Sequence, residues 1–359
     1  MMKRISLSLL TITLMLTAYL SLWPVPVDPV AWDAPKDNGY VGDFAPNDKL
    51  SKIERLSLGA FTGPEDVAFG PDGALYIASH EGSILRMDTT KGEVTEFAKT
   101  GGRPLGVEFG NDGILYVADA YLGLLAISAE GVVKTLADTA DGNSPINYAD
   151  DVDIAPDGSI YFTDASTKFG AKASGGTLPG SYYDLMEHGS HGRVLRFDPS
   201  TGDTTTLMGG LSFANGLAMT ASGSHFLVVE TGDYSISKVA LDGSTSKAIL
   251  QNLPGFPDNI NRNADGTFWV GIVSPRSEVA DGFSGNPFMR KLIMRLPAFM
   301  RPAADRYGFV IKINEDGEVL ETLQGPNGDY ALTTGAIEGT NSKLYITSLT
   351  EPDLGVLNP

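Results

Sequence analysis

Six residues of this chain occupy one register. Glu65, Leu105, Asp150, Asn215, Asp258 and Thr334 each stand seven positions before a short turn followed by an aromatic-containing strand. Four of the six carry side-chain oxygens able to bind a metal, and Asn259 adds an amide beside Asp258. If the register is also a ring in space, three carboxylates converge. Unpaired charge is costly to bury, and no Lys or Arg occupies any of the six positions. A divalent cation is then the natural counter-charge. An all-oxygen donor set without His or Cys points to Ca²⁺, with Mg²⁺ or Mn²⁺ less suited. The competing reading is that these residues are solvated at turn entrances, where Asp and Asn are common.

The elements that must position them repeat along the chain. PDGALYIAS (71–79), NDGILYVAD (111–119), PDGSIYFTD (156–164) and ADGTFWVGI (264–272) are four clear copies, and ASGSHFLVV (221–229) and TNSKLYITS (340–348) are two weaker ones. Tyr76, Tyr116, Tyr161, Phe226, Trp269 and Tyr345 hold the same place in each. Successive aromatics lie 40, 45, 65, 43 and 76 residues apart. Four-stranded blades of about 40–50 residues mark a β-propeller. The spacing predicts an all-β, six-bladed β-propeller over 36–359, closed by Lys52–Leu58 or Leu354–Leu357 pairing with the opposite chain end. The two long intervals predict insertions at 166–192 and 275–307. The second contains NPFMRKLIMRLPAFMRP, a basic amphipathic helix expected to cap the propeller or to lie on a membrane over 286–302.

The chain has 359 residues, 42 Gly, no Cys and a net charge of −18. Nucleic acid is an unlikely partner for so acidic a protein, and thiolate or Cys–metal chemistry is excluded. Residues 5–23 are uncharged and follow Lys3-Arg4, and a Pro-rich stretch comes next. An N-terminal apolar helix is expected there. Residues 1–35 then read as a signal anchor, or a cleaved signal peptide, plus a linker. Either exports the domain, membrane-anchored or secreted.

GRPLGVEFGNDGILYVADAYLGL (102–124), DGSIYFTDAS (157–166), GRVLRFDPSTG (192–202), FANGL (213–217) and PGFPDNINRNADGTFWVG (254–271) resemble the strictosidine synthase-like branch of the propeller superfamily that includes gluconolactonase, paraoxonase and diisopropyl fluorophosphatase. The resemblance implies a catalytic Ca²⁺ in the channel. Glu65, Asn215 and Asp258 match its ligands, and Asn259 matches an adjacent amide. Asp150 departs from the usual Asn, and Asp151 and Asn147 are neighbours that could compensate. The Glu that defines strictosidine synthase chemistry is missing: Gly335 or Ala336 stands there, and Glu338 falls two or three residues late. Leu105 stands near the place of the paraoxonase histidine. His188 and His191, in EHGSHGR, are candidate substrate contacts on a lid or else residues of a solvated loop. The function implied is Ca²⁺-dependent hydrolysis of a small-molecule lactone or other carboxylic ester, with Asp258 as base or nucleophile. The alternatives are a non-catalytic binding or scaffold propeller with structural Ca²⁺, and a condensing enzyme.

Overall fold

The computed structural model describes residues 2–358, with side chains from Leu7 onward. Six four-stranded antiparallel sheets make the body. Their first strands are Val67–Phe69, Pro104–Phe109, Ala149–Ile154, Ala214–Met219, Gly255–Arg262 and Thr333–Glu338. Each first strand touches that of the next blade, and the sixth touches the first, so they form a closed ring. The ring is fastened by Glu54–Ser57, which joins the sixth blade as its outermost strand with Glu54 opposite Val356 and Ser57 opposite Asp353. Both candidate closing segments are therefore used, paired with each other.

The repeat has a local physical basis. The first turn residue accepts a hydrogen bond from the backbone N–H two residues on: Asp72 from Ala74 (3.1 Å), Asp112 from Ile114 (3.0 Å), Asp265 from Thr267 (3.0 Å). This is the side-chain-to-backbone turn that favours Asp and Asn. The following Gly takes a positive φ, 75° at Gly73 and 82° at Gly266, which costs a glycine little. The recurrent aromatic packs between blades: the Tyr76 ring lies 4.9 Å from Phe109, and Tyr345 lies 5.8 Å from Phe69. Burying such rings contributes about 1.5–3 kcal/mol each.

Among the described residues four α-helices stand outside the blades. Helix α1 (Met2–Leu22) projects Leu7, Leu10, Ile12, Leu14 and Met15 into solvent. Among the described residues no helix is long and apolar enough to cross a membrane. The first insertion forms α2 (Thr177–Glu187), and the second forms α3 (Glu278–Gly282) and α4 (Pro287–Arg295). Helix α4 begins with Pro287 after Asn286, whose side chain accepts from Met289 N–H (3.2 Å), a standard start signal. Ile293 and Met294 are buried with Val27 and Met186. The helix packs on α2, the first insertion and the residues around the end of α1, and its cations bind there. Arg295 donates to the carbonyls of Trp23 (2.6 Å) and Leu20 (3.0 Å), and Lys291 pairs with Asp28 (2.5 Å).

The Pro-rich stretch after α1 is a docked strap. Val30 N–H donates to Glu187 O (2.8 Å), Trp32 N–H to Ser284 O (3.2 Å), and Arg276 Nη2 to Pro35 O (2.6 Å). It runs across the insertions and joins them in roofing one end of the channel.

Candidate functional site

The six register positions sit at six equivalent irregularities. In five inner strands the ladder skips two residues: 105–106, 150–151, 215–216, 258–259 and 334–335. In the first blade Glu65 N–H donates to Ala78 O and Ala78 N–H to Asp66 O, so two residues again oppose one. A bulge of this kind re-aims a side chain. The second bulge residues alternate around the ring as Asp66, Gly106, Asp151, Gly216, Asn259 and Gly335. The glycines leave room for what crosses them. A Cβ on Gly106 would lie 2.4 Å from Asp151 Oδ1, and one on Gly216 would lie 2.6 Å from Asp258 O. Asp66 accepts from Val107 N–H (3.0 Å) and Asp151 from Leu217 N–H (2.7 Å), which fastens blade to blade.

The first bulge residues face the roofed end. Glu65, Leu105, Asp150, Asn215 and Asp258 line one cavity of about 940 Å³. All five are at least nine-tenths buried. Thr334 does not line it; its hydroxyl donates to Glu65 O (2.6 Å). Asp151 and Asn147, the neighbours weighed against Asp150, are engaged elsewhere, and Asn147 Nδ2 donates to Thr167 O (2.7 Å). Asn259 lies behind the floor, where its Nδ2 donates to Glu65 O (3.1 Å) and Glu65 Oε1 (3.2 Å). His188 lines the cavity, stacked on Trp32 with ring centroids 3.8 Å apart and 3.2 Å from Asp233. His191 is not part of the lining. It is turned to Glu187 (2.8 Å), the last residue of α2, because the chain folds back beyond the helix end through left-handed His188 and Ser190.

Burial first, then mutual repulsion, raises the acids. Glu65 is pushed well above the usual range by burial and by Asp258, Asp150 and Asp66. Asp150 is raised by burial and Asp258. Asp258 is pushed up to about 7 by burial, while hydrogen bonds from the Asn215 side chain and Asn259 N–H oppose the rise. Arg103 opposes the rise at Glu65 and Asp150. It is 3 % exposed, its Nη1 donates to Pro104 O (3.1 Å), and its Nε has no partner. The expectation that the protein offers the ring no counter-charge is corrected here. Arg103 is absent from the ring but two residues ahead of it, one step up the same face of a strand. The same register, two before each ring residue, holds Tyr148, Phe213, Phe256 and Leu332, all of which line the cavity. Counting back nine residues instead of seven finds these walls in the sequence.

Three buried oxygens of the floor and its support lack hydrogen-bond partners: Glu65 Oε2, Asn215 Oδ1 and Asn259 Oδ1. Buried polar atoms are usually satisfied, so Glu65 Oε2 and Asn215 Oδ1, on residues that line the cavity, fit a cation bound among oxygen donors, while Asn259 stands behind them. Among the described residues no three His, Cys, Asp or Glu side chains form a ready-made metal cluster. A cation would draw on the amide oxygens as well as the carboxylates.

The chain also aligns with known proteins. Residues 42–87 match the N-terminal model of strictosidine synthase-like proteins, and 150–244 match the strictosidine synthase model. Over 88 % of its length it is 32 % identical to Protein STRICTOSIDINE SYNTHASE-LIKE 10 of Arabidopsis thaliana, covering 92 % of that protein. The chain belongs to the strictosidine synthase-like family. Another member, adipocyte plasma membrane-associated protein of Salmo salar, is 31 % identical over 87 % of this chain and 79 % of its own. Among solved structures, a gluconolactonase from Xanthomonas campestris superposes with TM-score 0.62 at 19 % identity, over 94 % of this chain and 99 % of that one. Regucalcin of Agrobacterium tumefaciens, a calcium-binding protein, gives 0.59 at 16 %, over 85 % and 93 %. At such identities these two structures speak for the propeller fold that the strictosidine synthase-like family shares with them.

Proposed function

We propose that this protein hydrolyses a lactone or another carboxylic ester, with a Ca²⁺ ion held on the cavity floor. The observation that supports this reading most is the pair of buried, unpartnered oxygens, Glu65 Oε2 and Asn215 Oδ1, at the floor of a large, mostly apolar cavity. Glu65, Asp150, Asn215 and Asp258 would hold the ion. Oxygen donors from four separate strands suit the flexible coordination of Ca²⁺ better than the strict octahedron of Mg²⁺. When bound, the ion supplies Lewis-acid polarisation of the ester carbonyl. Asp258, raised without the ion by burial, would be held as a carboxylate by the bound cation and would accept a proton from an attacking water. Asn259 fixes Glu65 from behind. Leu105, Tyr148 and Phe213 exclude water around the acyl group. The gluconolactonase neighbour is in keeping with lactone chemistry on this fold.

A second reading is a binding propeller with a structural cation. It draws on Arg103, which offsets part of the floor charge without any ion. A condensing activity of the strictosidine synthase kind lacks its acid: Glu338 accepts from Trp269 Nε1 (3.0 Å) and Lys312 Nζ (2.8 Å), away from the cavity lining. A panel of lactones and aryl esters assayed with and without chelator decides between the readings. Chelator-sensitive turnover supports the hydrolase. No turnover on any member, with Ca²⁺ still raising the melting temperature, supports the binding protein.

A further inference from the structure

The roof of the cavity has its own unsatisfied chemistry, opposite in sign to the floor. Arg290 on α4, Trp32 on the strap and Tyr182 on α2 all line the cavity. In each, one donor atom is buried without a partner: Arg290 Nε, Trp32 Nε1 and Tyr182 Oη. The floor leaves acceptors open, and the roof leaves donors open.

Arg290 carries the charge of this set. It is 3 % exposed, and its two other nitrogens donate to carbonyls, Val30 O (3.1 Å) and Leu185 O (2.6 Å), instead of to a carboxylate. The nearby Glu187 is already engaged by Lys168 (2.5 Å) and His191 (2.8 Å). Burial lowers the Arg290 pKa, the mark of a cation without full compensation. The same two carbonyls hold the guanidinium in place, because one belongs to the strap and the other to α2. Trp32 is fixed by its stack on His188 and by its own N–H on Ser284. The donors are thus preorganised.

We propose that Arg290, Trp32 and Tyr182 form an anion subsite that takes the carboxylate end of an elongated, amphipathic substrate whose reacting ester lies on the floor. The word substrate rests on the hydrolase reading; the subsite does not. One guanidinium with two neutral donors matches a monoanion better than a phosphate monoester, which carries about −1.5 to −2 at pH 7. The cavity, at about 940 Å³, lies near the top of the roughly 300–1,000 Å³ that ligand pockets span. It has room for an apolar chain between the two ends.

The test is calorimetric binding of octanoate and octanol to the full-length chain, with and without chelator. The wild type is expected to bind octanoate at least ~10-fold tighter than octanol, regardless of chelator. Tyr182→Phe, which keeps its ring, should cut that preference about 3–10-fold, and Trp32→Phe, which keeps an aromatic but loses the indole N–H, should cut it by a similar factor, with octanoate losing more affinity than octanol in both. Arg290→Gln should abolish it. Equal or undetectable binding of the two ligands by the wild type overturns the proposal. So does a preference lost on chelation, which would place the carboxylate on the floor, and so does an equal loss of both ligands in Trp32→Phe. Because no turnover is needed, a protein that prefers octanoate but hydrolyses nothing sinks the hydrolase reading and leaves the subsite standing.

Discussion

The amide of Asn259, in the fifth blade, donates to both the backbone oxygen and the carboxylate of Glu65, in the first blade, at 3.1 and 3.2 Å. The two blades meet here across the ring, and neither residue is near the other in sequence. The bond pair aims Glu65 so that one of its oxygens, Oε2, is left open. Support and site are therefore the same contact.

Asn259→Ala should remove both bonds and leave Glu65 Oε1 buried and unpaired, while Glu65 O keeps its bond from the Thr334 hydroxyl. An unfolding free-energy loss of about 1–3 kcal/mol per orphaned group is the expected scale, measured by urea denaturation. Asn259→Asp should be worse in chelator and partly relieved by added Ca²⁺. A variant as stable as wild type in both conditions would show that Asn259 does not position Glu65.

The pH dependence follows from Asp258. Its folded pKa, about 7, lies above its ordinary value of 3.8. A raised pKa means that the folded state holds the proton more tightly than the unfolded one. The stabilisation is fully present below pH 3.8 and is lost as pH rises through about 7. Metal-free protein should melt at progressively lower temperature between pH 5 and 8, and Asp258→Asn should flatten that slope. Hydrolysis should run the other way, rising as Asp258 loses its proton. A melting temperature that climbs over this range would contradict the assignment.

Cation removal should separate the roles of Glu65 and Asp258. Glu65→Gln removes a buried charge, so the chelated variant should be at least as stable as the chelated wild type. Its Ca²⁺-induced rise in melting temperature should shrink, and excess Ca²⁺ should recover part of its esterase activity. Asp258→Asn should not be recovered by the same excess. Equal recovery of both would leave Asp258 as a ligand and nothing more.

Gly216→Ala should not fold. The added Cβ would lie 2.6 Å from Asp258 O and 2.7 Å from Ile260 N, both backbone atoms of the next blade. Gly209→Ala is the control, since its Cβ meets only the Arg193 side chain at 4.0 Å. Soluble yield and circular dichroism of the two variants make the comparison; a well-folded Gly216→Ala would mean that the bulges have slack.

Helix α1 is expected to attach the protein to a bilayer, given its exposed leucines. Flotation of membranes from cells expressing the full chain, prepared at neutral pH without carbonate, checks this. Recovery of the uncleaved chain wholly in the soluble fraction would rule it out.

The repeat unit, its turn chemistry and the shared register of Glu65, Asp150, Asn215 and Asp258 were all determined by local sequence. Asx turns and strand alternation act over a few residues, so their marks recur visibly: Asp72 and Asp265 cap their own turns by the same bond. A propeller then needs only the repeat count to place one register on one axis. Other features depended on contacts between segments far apart in the chain. Asp150 was separated from Asp151 by the bulge, which aims the first residue at the cavity and the second at the neighbouring blade. Arg103 became a counter-charge only once its blade stood beside Glu65 and Asp150. Trp32, 35 residues ahead of the first inner strand at Val67, became a cavity wall because Glu187, Ser284 and Arg276 dock the strap. No periodicity encodes such pairings, because each depends on which irregular segment packs over the channel mouth.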